Sequence, residues 1–121
     1  MVSLFRSLLL VLVATTVLAA PVPFDFTGDW TGEAHSGSRH AAMDAQFTST
    51  GPTTLTGSIG LEGVTTCHAE GTYSRRVRLH LRCGLGNATM VSKLNAATST
   101  FHGGFSLRGH FVTFTLMKNP S

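Results

Sequence analysis

Two cysteines bracket a stretch of alternating polarity that constrains the fold more than any other feature of the chain. From Cys67 to Cys83 the sequence is CHAEGTYSRRVRLHLRC. Pairing residues whose numbers sum to 150 sets the cysteines opposite each other and places the turn at Ser74-Arg75-Arg76. Each strand then has one apolar and one polar face, whereas a shift by one residue mixes the faces. The sequence therefore predicts an antiparallel hairpin in this register.

The same register predicts a disulfide bond between Cys67 and Cys83. Directly opposed residues of an antiparallel pair have Cα atoms roughly 4.5 to 5.5 Å apart, within the span of a disulfide. Two cysteines in an exported chain have one possible intramolecular pairing. Closing a loop of this length contributes about 3 kcal/mol in the chain-entropy model. Two unpaired buried thiols are the alternative.

The start of the chain has the pattern of a secretory signal peptide. Arg6 and Ser7 precede the apolar run LLLVLVATTVLAA, which is too short to span a bilayer and ends in small residues. Cleavage fits best after Ala19, which makes residues 1–19 the signal peptide and residues 20–121 a single domain. The protein is then secreted or periplasmic and has no membrane span after cleavage. An uncleaved membrane anchor is the alternative.

The mature chain is predicted to be all-β, because charged residues are few, glycines are frequent and no long helical period occurs. Alternation predicts further strands around Trp30, from Arg39 to Thr48, from Leu55 to Leu61, from Met90 to Leu94, from Phe101 to Leu107 and from Val112 to Leu116. Between them lie predicted turns at Gly37-Ser38, Glu62-Gly63 and Gly109-His110, and a loop at Gly84-Leu85-Gly86-Asn87. Eight strands with short connections favour an eight-stranded antiparallel up-and-down meander barrel. A two-sheet β-sandwich is the alternative.

Gly28-Asp29-Trp30, at the start of the first strand, resembles the Gly-x-Trp signature of the calycin superfamily, which includes the lipocalins and avidins. Thr27 before it and the later segment Leu55-Thr56-Gly57 are similar to avidins in particular. The resemblance implies a β-barrel in which Trp30 plugs one end. Avidins stack biotin between several tryptophans, whereas Trp30 is the only tryptophan here, so the resemblance does not imply biotin binding.

The inward positions of the predicted strands are almost wholly apolar, and Tyr73 is their only sizeable polar side chain. No inward pair of carboxylates and no nucleophile beside a base can be assembled from them. We therefore expect a protein that is not an enzyme and that has no cofactor.

The expected function is instead the binding of a small apolar molecule inside the barrel. Seven inward residues are predicted to line this ligand site: Phe47, Ile59, Tyr73, Leu79, Leu81, Phe105 and Phe114. Tyr73 is expected to orient a polar group of the ligand. The alternative is a packed barrel that acts through protein–protein interaction, such as a secreted or periplasmic inhibitor.

Outward polar residues suggest two further hypotheses. His35 is predicted to lie opposite His40, with Glu33 within reach, and two imidazoles and a carboxylate can bind zinc. Polar residues beside a turn are usually only solvated, so no metal site is predicted. The basic stripe, which consists of Arg75, Arg76, Arg78, His80 and Arg82, is expected to keep the barrel soluble or to touch an anionic surface, lipid head groups or a polyanion.

The net charge and one short motif bear on nucleic-acid binding and on glycosylation. Without the signal peptide the net charge is about +2, with eight Lys and Arg against six Asp and Glu, and this is too small to indicate nucleic-acid binding. Asn87-Ala88-Thr89 is a glycosylation acceptor in a predicted loop, usable if the source is eukaryotic.

Overall fold

A computed structural model describes residues 24–120, which form eight strands. The strands are β1 (Gly28–Ser36), β2 (Arg39–Ser49), β3 (Thr54–Leu61), β4 (Thr65–Tyr73), β5 (Val77–Cys83), β6 (Gly86–Asn95), β7 (Thr100–Leu107) and β8 (His110–Lys118). Each strand pairs antiparallel with the next, and β8 pairs with β1 to close a barrel. The predicted meander barrel is confirmed, and the β-sandwich alternative is wrong.

The predicted signal peptide, residues 1–19, lies outside the described residues. Within residues 24–120 there is no helix that is long and apolar enough to cross a membrane.

The central hairpin has the register predicted from its alternation and from its two cysteines. Cys67 pairs with Cys83, Tyr73 pairs with Val77, and every pair between them sums to 150. A disulfide bond joins Cys67 to Cys83, whose Cα atoms are 4.1 Å apart. The apolar face of the hairpin points into the barrel, where Leu79 is fully buried. The predicted disulfide therefore staples β4 to β5 on the core side of the sheet.

The same two-residue period places the core on the inner face of every strand. Met43, Ala45 and Phe47 of β2 are buried while the residues between them are exposed. Phe101, Phe105 and Leu107 of β7 are buried in the same way. Because successive side chains of a strand point to opposite faces, one apolar residue in two is enough to fill the interior.

The sixth strand is longer than the sequence predicts. Gly84 and Leu85 alone form the turn, and Gly86 and Asn87 already pair with β5. The prediction of a four-residue loop was therefore wrong, and the glycosylation acceptor at Asn87 lies in a strand, with its side chain exposed. The apolar alternation is weak here because the inward residues of β6 include the small Ala88 and the polar Ser92, whose hydroxyl donates to the carbonyl of Val77 at 3.4 Å.

The last turn is displaced by one residue from its predicted position. Arg108 and Gly109 form the turn, with φ angles of 51° and 79°, and Leu107 pairs with His110. The predicted turn at Gly109-His110 shifts the pairing by two residues, and such a shift keeps every side chain on its own face. Alternation therefore does not distinguish the two registers. Positive φ at both turn residues, which suits the twist of a hairpin and favours glycine in the second place, selects the observed one.

Glycines on the inner face let neighbouring strands approach closely. A Cβ on Gly71 would overlap the backbone of Arg78, and a Cβ on Gly32 would overlap that of Thr115. Gly57 and Gly103 make equivalent approaches to their neighbouring strands. Glycine at these four positions therefore permits an approach of neighbouring strands that a side chain would block.

We expect Gly71→Ala to lower the free energy of unfolding by about 3 kcal/mol, because the added methyl group has to displace backbone rather than a mobile side chain. Gly84→Ala is the matched control. Its added Cβ would have only Thr65 Oγ1 nearby, at an ordinary 3.6 Å, so its effect is expected to stay within about 0.5 kcal/mol. Urea denaturation of both variants measures the difference, and equal stability would contradict the role of Gly71 in this close approach.

Candidate functional site

One end of the barrel is closed by aromatic side chains. Trp30 is fully buried there, and its ring centroid lies 4.8 Å from that of Phe101 and 6.2 Å from that of Phe26. The indole Nε1 donates to the carbonyl oxygen of Phe26 at 3.0 Å. Phe24 packs against the edge of this cluster. This end therefore leaves no opening beside Trp30.

The segment before β1 is tied across the closed end by polar contacts. The backbone N–H of Phe26 donates to Ser49 Oγ at 2.9 Å, and Lys118 Nζ donates to the carbonyl of Asp25 at 3.0 Å. The backbone N–H of Thr27 donates to the Asp25 carboxylate and holds the pKa of that carboxyl below its usual range. These contacts join the segment to β2 and β8.

The seven residues predicted to line a ligand site all point into the barrel, but they pack on other core side chains. Six of them are at most 3% exposed. Phe114 lies 6.2 Å from Phe105 between ring centroids and 5.9 Å from Phe101, and Phe101 lies 5.8 Å from Phe47. Tyr73 lies at the closed end, where its ring meets the ring of Phe26 edge-on at 5.5 Å. The structure therefore brings these residues together as core.

The opposite end of the barrel is open. The β1–β2, β3–β4, β5–β6 and β7–β8 turns surround a depression of about 560 Å³, which we call the mouth. Its apolar lining consists of Ala34, Ala41, Leu61, Val64, Leu85, Leu107 and Val112. Three of these, Ala34, Leu61 and Leu107, belong to the core and are at most 6% exposed. The floor of the mouth is therefore the upper surface of the hydrophobic core.

Polar and charged side chains line the rim of the mouth. They are His35, Ser36, Ser38, Arg39, His40, Glu62, Arg108 and His110. Arg108 Nε donates to the carbonyl of Leu85 at 2.9 Å, which links the last turn to the β5–β6 turn. Two arginines against one carboxylate give the rim a positive charge even when its histidines are neutral. The mouth therefore combines an aliphatic floor with a cationic rim.

The two histidines singled out in the sequence lie together on this rim. His35 pairs with His40 across β1 and β2, and their rings are 6.1 Å apart. His35 Nε2 also lies 3.5 Å from Glu33 Oε2, and both side chains are exposed. Within the part of the chain that the structure describes, no group of three His, Cys, Asp or Glu side chains is arranged to hold a metal ion.

A second depression, of about 540 Å³, lies on the outer wall over β2 and β3. It exists because Ala42 and Gly60 are small outward residues, and Asp44 and Thr66 lie beside them. Its lining also includes core residues, Met43 and Leu61, but it has four apolar side chains where the lining of the mouth has seven. We therefore take the mouth as the candidate functional site.

The residues of the mouth were not predicted as a site, although their grouping follows from the topology. In an up-and-down meander, every second turn lies at the same end of the barrel. The turns after β1, β3, β5 and β7 therefore meet, and they bring Ser38, Glu62, Leu85 and Arg108 together around the mouth. This signal was present in the predicted strand order.

The closed barrel with Trp30 buried at one end is compatible with a calycin-like fold. Comparison of the chain with protein-family models, with curated proteins and with solved structures found no match. The likeness to calycins therefore consists of the barrel architecture and of Gly28-Asp29-Trp30.

Proposed function

We propose that this is a secreted or periplasmic binding protein, not an enzyme, that holds a small, largely apolar molecule in the mouth of its barrel. The observation that carries the proposal is a depression of about 560 Å³ whose floor is made of core aliphatic side chains. Ligand sites are typically concave, mostly apolar and about 300 to 1,000 Å³ in volume. The mouth has all three properties.

The disulfide supports an oxidising compartment. A Cys67–Cys83 bond is consistent with an extracellular or periplasmic location, where disulfides persist. The signal peptide predicted at residues 1–19 accounts for export.

The two layers of the mouth indicate how a ligand is oriented. Affinity comes mainly from burying the apolar surface that the lining still exposes, on Val64, Leu85 and Val112, at about 25 cal/mol per Å² before the costs of binding are subtracted. A polar end of the ligand then lies among the rim side chains, where Arg39 and Arg108 favour oxygen acceptors or a negative charge. The orienting group is therefore on the rim, rather than at Tyr73 as the sequence suggests.

One observation favours the alternative of a protein partner. Val64, which belongs to the apolar lining of the mouth, is 53% exposed. Exposed apolar side chains beside a concavity are common where a partner docks. A loop of another protein inserted into the mouth uses the same floor as a small ligand, so the size of the occupant distinguishes the two functions.

A charge placed in the apolar lining of the mouth is expected to weaken ligand binding. N-phenyl-1-naphthylamine, an uncharged dye that fluoresces in apolar surroundings, is expected to bind saturably to the folded protein. Val112→Glu should weaken this binding by about tenfold, because it places a carboxylate in the apolar lining. Val91→Glu is the matched control, since Val91 is also half-buried but lies on the outer wall of β6, and it should leave the dye affinity unchanged.

The variant Tyr73→Phe distinguishes binding in the mouth from binding in the interior of the barrel. A ligand in the mouth does not contact Tyr73, so the dye and any carbonyl-bearing ligand should bind this variant as they bind the wild type. A loss of about 1 kcal/mol in the binding free energy of a ligand with a carbonyl or hydroxyl group would show that the ligand binds in the interior. Absence of saturable dye binding to the folded wild type would favour the protein partner.

A further inference from the structure

Positive charge is concentrated on one side of the barrel. Every residue of the basic stripe is exposed. Its four arginines have one carboxylate beside them, Glu70, whereas the other described residues carry four Lys and Arg against five Asp and Glu. The slight positive charge of the described residues is therefore the sum of a strongly basic wall and a weakly acidic remainder.

Three residues of the stripe follow β5, and all of its side chains are exposed. Arg78, His80 and Arg82 occupy alternate outward positions of β5, which places successive side chains about 7 Å apart along the strand. Within residues 24–120 its one carboxylate contact joins Arg82 Nη2 to Glu70 Oε1 at 4.0 Å, and both side chains are more than half exposed. An exposed contact of this length contributes little and competes weakly with a ligand.

Neighbouring elements extend the stripe and polarise the barrel. The β5–β6 pairing begins at Val77 and Ser92, so continuing it by one residue brings the exposed Lys93 level with Arg76. Acidic residues lie on β1 and β2, and β1 is the strand farthest from β5 around the closed barrel. An approaching polyanion is therefore attracted to the stripe and repelled from the opposite wall.

We propose that the basic stripe binds a linear sulfated polysaccharide. Guanidinium groups bind anionic oxygen groups through two parallel N–H donors, a geometry that lysine does not offer. A row of basic side chains along one strand of a convex wall contacts a linear polyanion along its length, whereas a flat membrane touches such a wall only along a ridge. The large exposed apolar side chains of the described chain, Val64, Phe111 and Met117, lie outside the stripe, so it has nothing to insert into a lipid surface.

Heparin is the probe for this site. We expect the wild-type protein to bind heparin with an affinity that falls steeply as salt is raised. Arg78→Gln should weaken the binding about fivefold and reduce its salt dependence, because one contact to the polyanion is lost. Lys118→Gln removes the same charge at the closed end of the barrel and should weaken binding by less than about twofold. The thermal unfolding midpoint of each variant checks that the fold is intact.

Three results would overturn the proposal. The first is that the wild type does not bind heparin. The second is that Arg78→Gln and Lys118→Gln weaken heparin binding equally, which would mean that only net charge matters. The third is that the wild type binds vesicles of phosphatidylcholine and phosphatidylserine, in a roughly 3:1 ratio, more tightly than it binds heparin, which would make the stripe a membrane-facing surface. Dye binding in the mouth is independent of all three, so this proposal and the proposed function fail separately.

Discussion

Trp30→Ala is expected to lower the free energy of unfolding by about 3 to 5 kcal/mol. The indole is completely buried and packs against Phe26, Phe47 and Phe101, so its removal leaves a large cavity at the closed end. It also leaves the carbonyl of Phe26 without the hydrogen bond that the indole N–H donates. Urea denaturation followed by circular dichroism measures the change.

Trp30→Phe is the control for this cavity. It keeps an aromatic ring in the cluster but removes the N–H donor, so it should be less destabilising than the alanine variant. The fluorescence of the wild type gives an independent check, because Trp30 is the only tryptophan of the chain. An emission maximum matching indole in water, or an alanine variant as stable as the wild type, would contradict the packing at the closed end.

Cys83→Ser is expected to destabilise the protein by about 2 to 5 kcal/mol. The change removes the bond between β4 and β5 and leaves a free thiol at Cys67, which is 2% exposed. The expected loss is large because a domain of this size has a small core with little stability in reserve. Denaturation of the purified variant measures it.

Thiol titration and reduction test the disulfide without a mutation. The unfolded, non-reduced wild type should show no free thiol, and reduction should lower its stability by about as much as Cys83→Ser does. Cys67→Ala combined with Cys83→Ala separates the lost bond from the buried thiol. Two free thiols in the non-reduced wild type would show that the bond does not form.

The sequence predicts the fold in detail where large apolar residues alternate with polar ones. Between Cys67 and Cys83 the alternation excludes every shift by an odd number of residues, and pairing the two cysteines selects one of the remaining registers. Prediction fails where this signal is degenerate. In β6 the inward residues Ala88 and Ser92 are small or polar, so the apolar alternation is weak. In the hairpin after Leu107 a register shift of two residues leaves every side chain on its own face.

The candidate site is harder to predict because facing inward is not the same as lining a cavity. Phe47 and Phe114 face inward as expected, but whether they leave room for a ligand depends on how completely the side chains fill a barrel of this size. Phe26 precedes the first strand, so no alternation of polarity indicates that its side chain packs at the closed end. The rim of the mouth comes from four turns that are distant in sequence, so no local motif marks it.

The most direct test of binding in the mouth is methyl NMR of the wild-type protein, titrated with N-phenyl-1-naphthylamine. The predicted result is a set of saturable shifts confined to the mouth methyl groups, above all those of Leu61, Leu107 and Val112. Shifts centred instead on Ile59 and Leu81, deep in the barrel, would contradict the account and place the ligand in the interior.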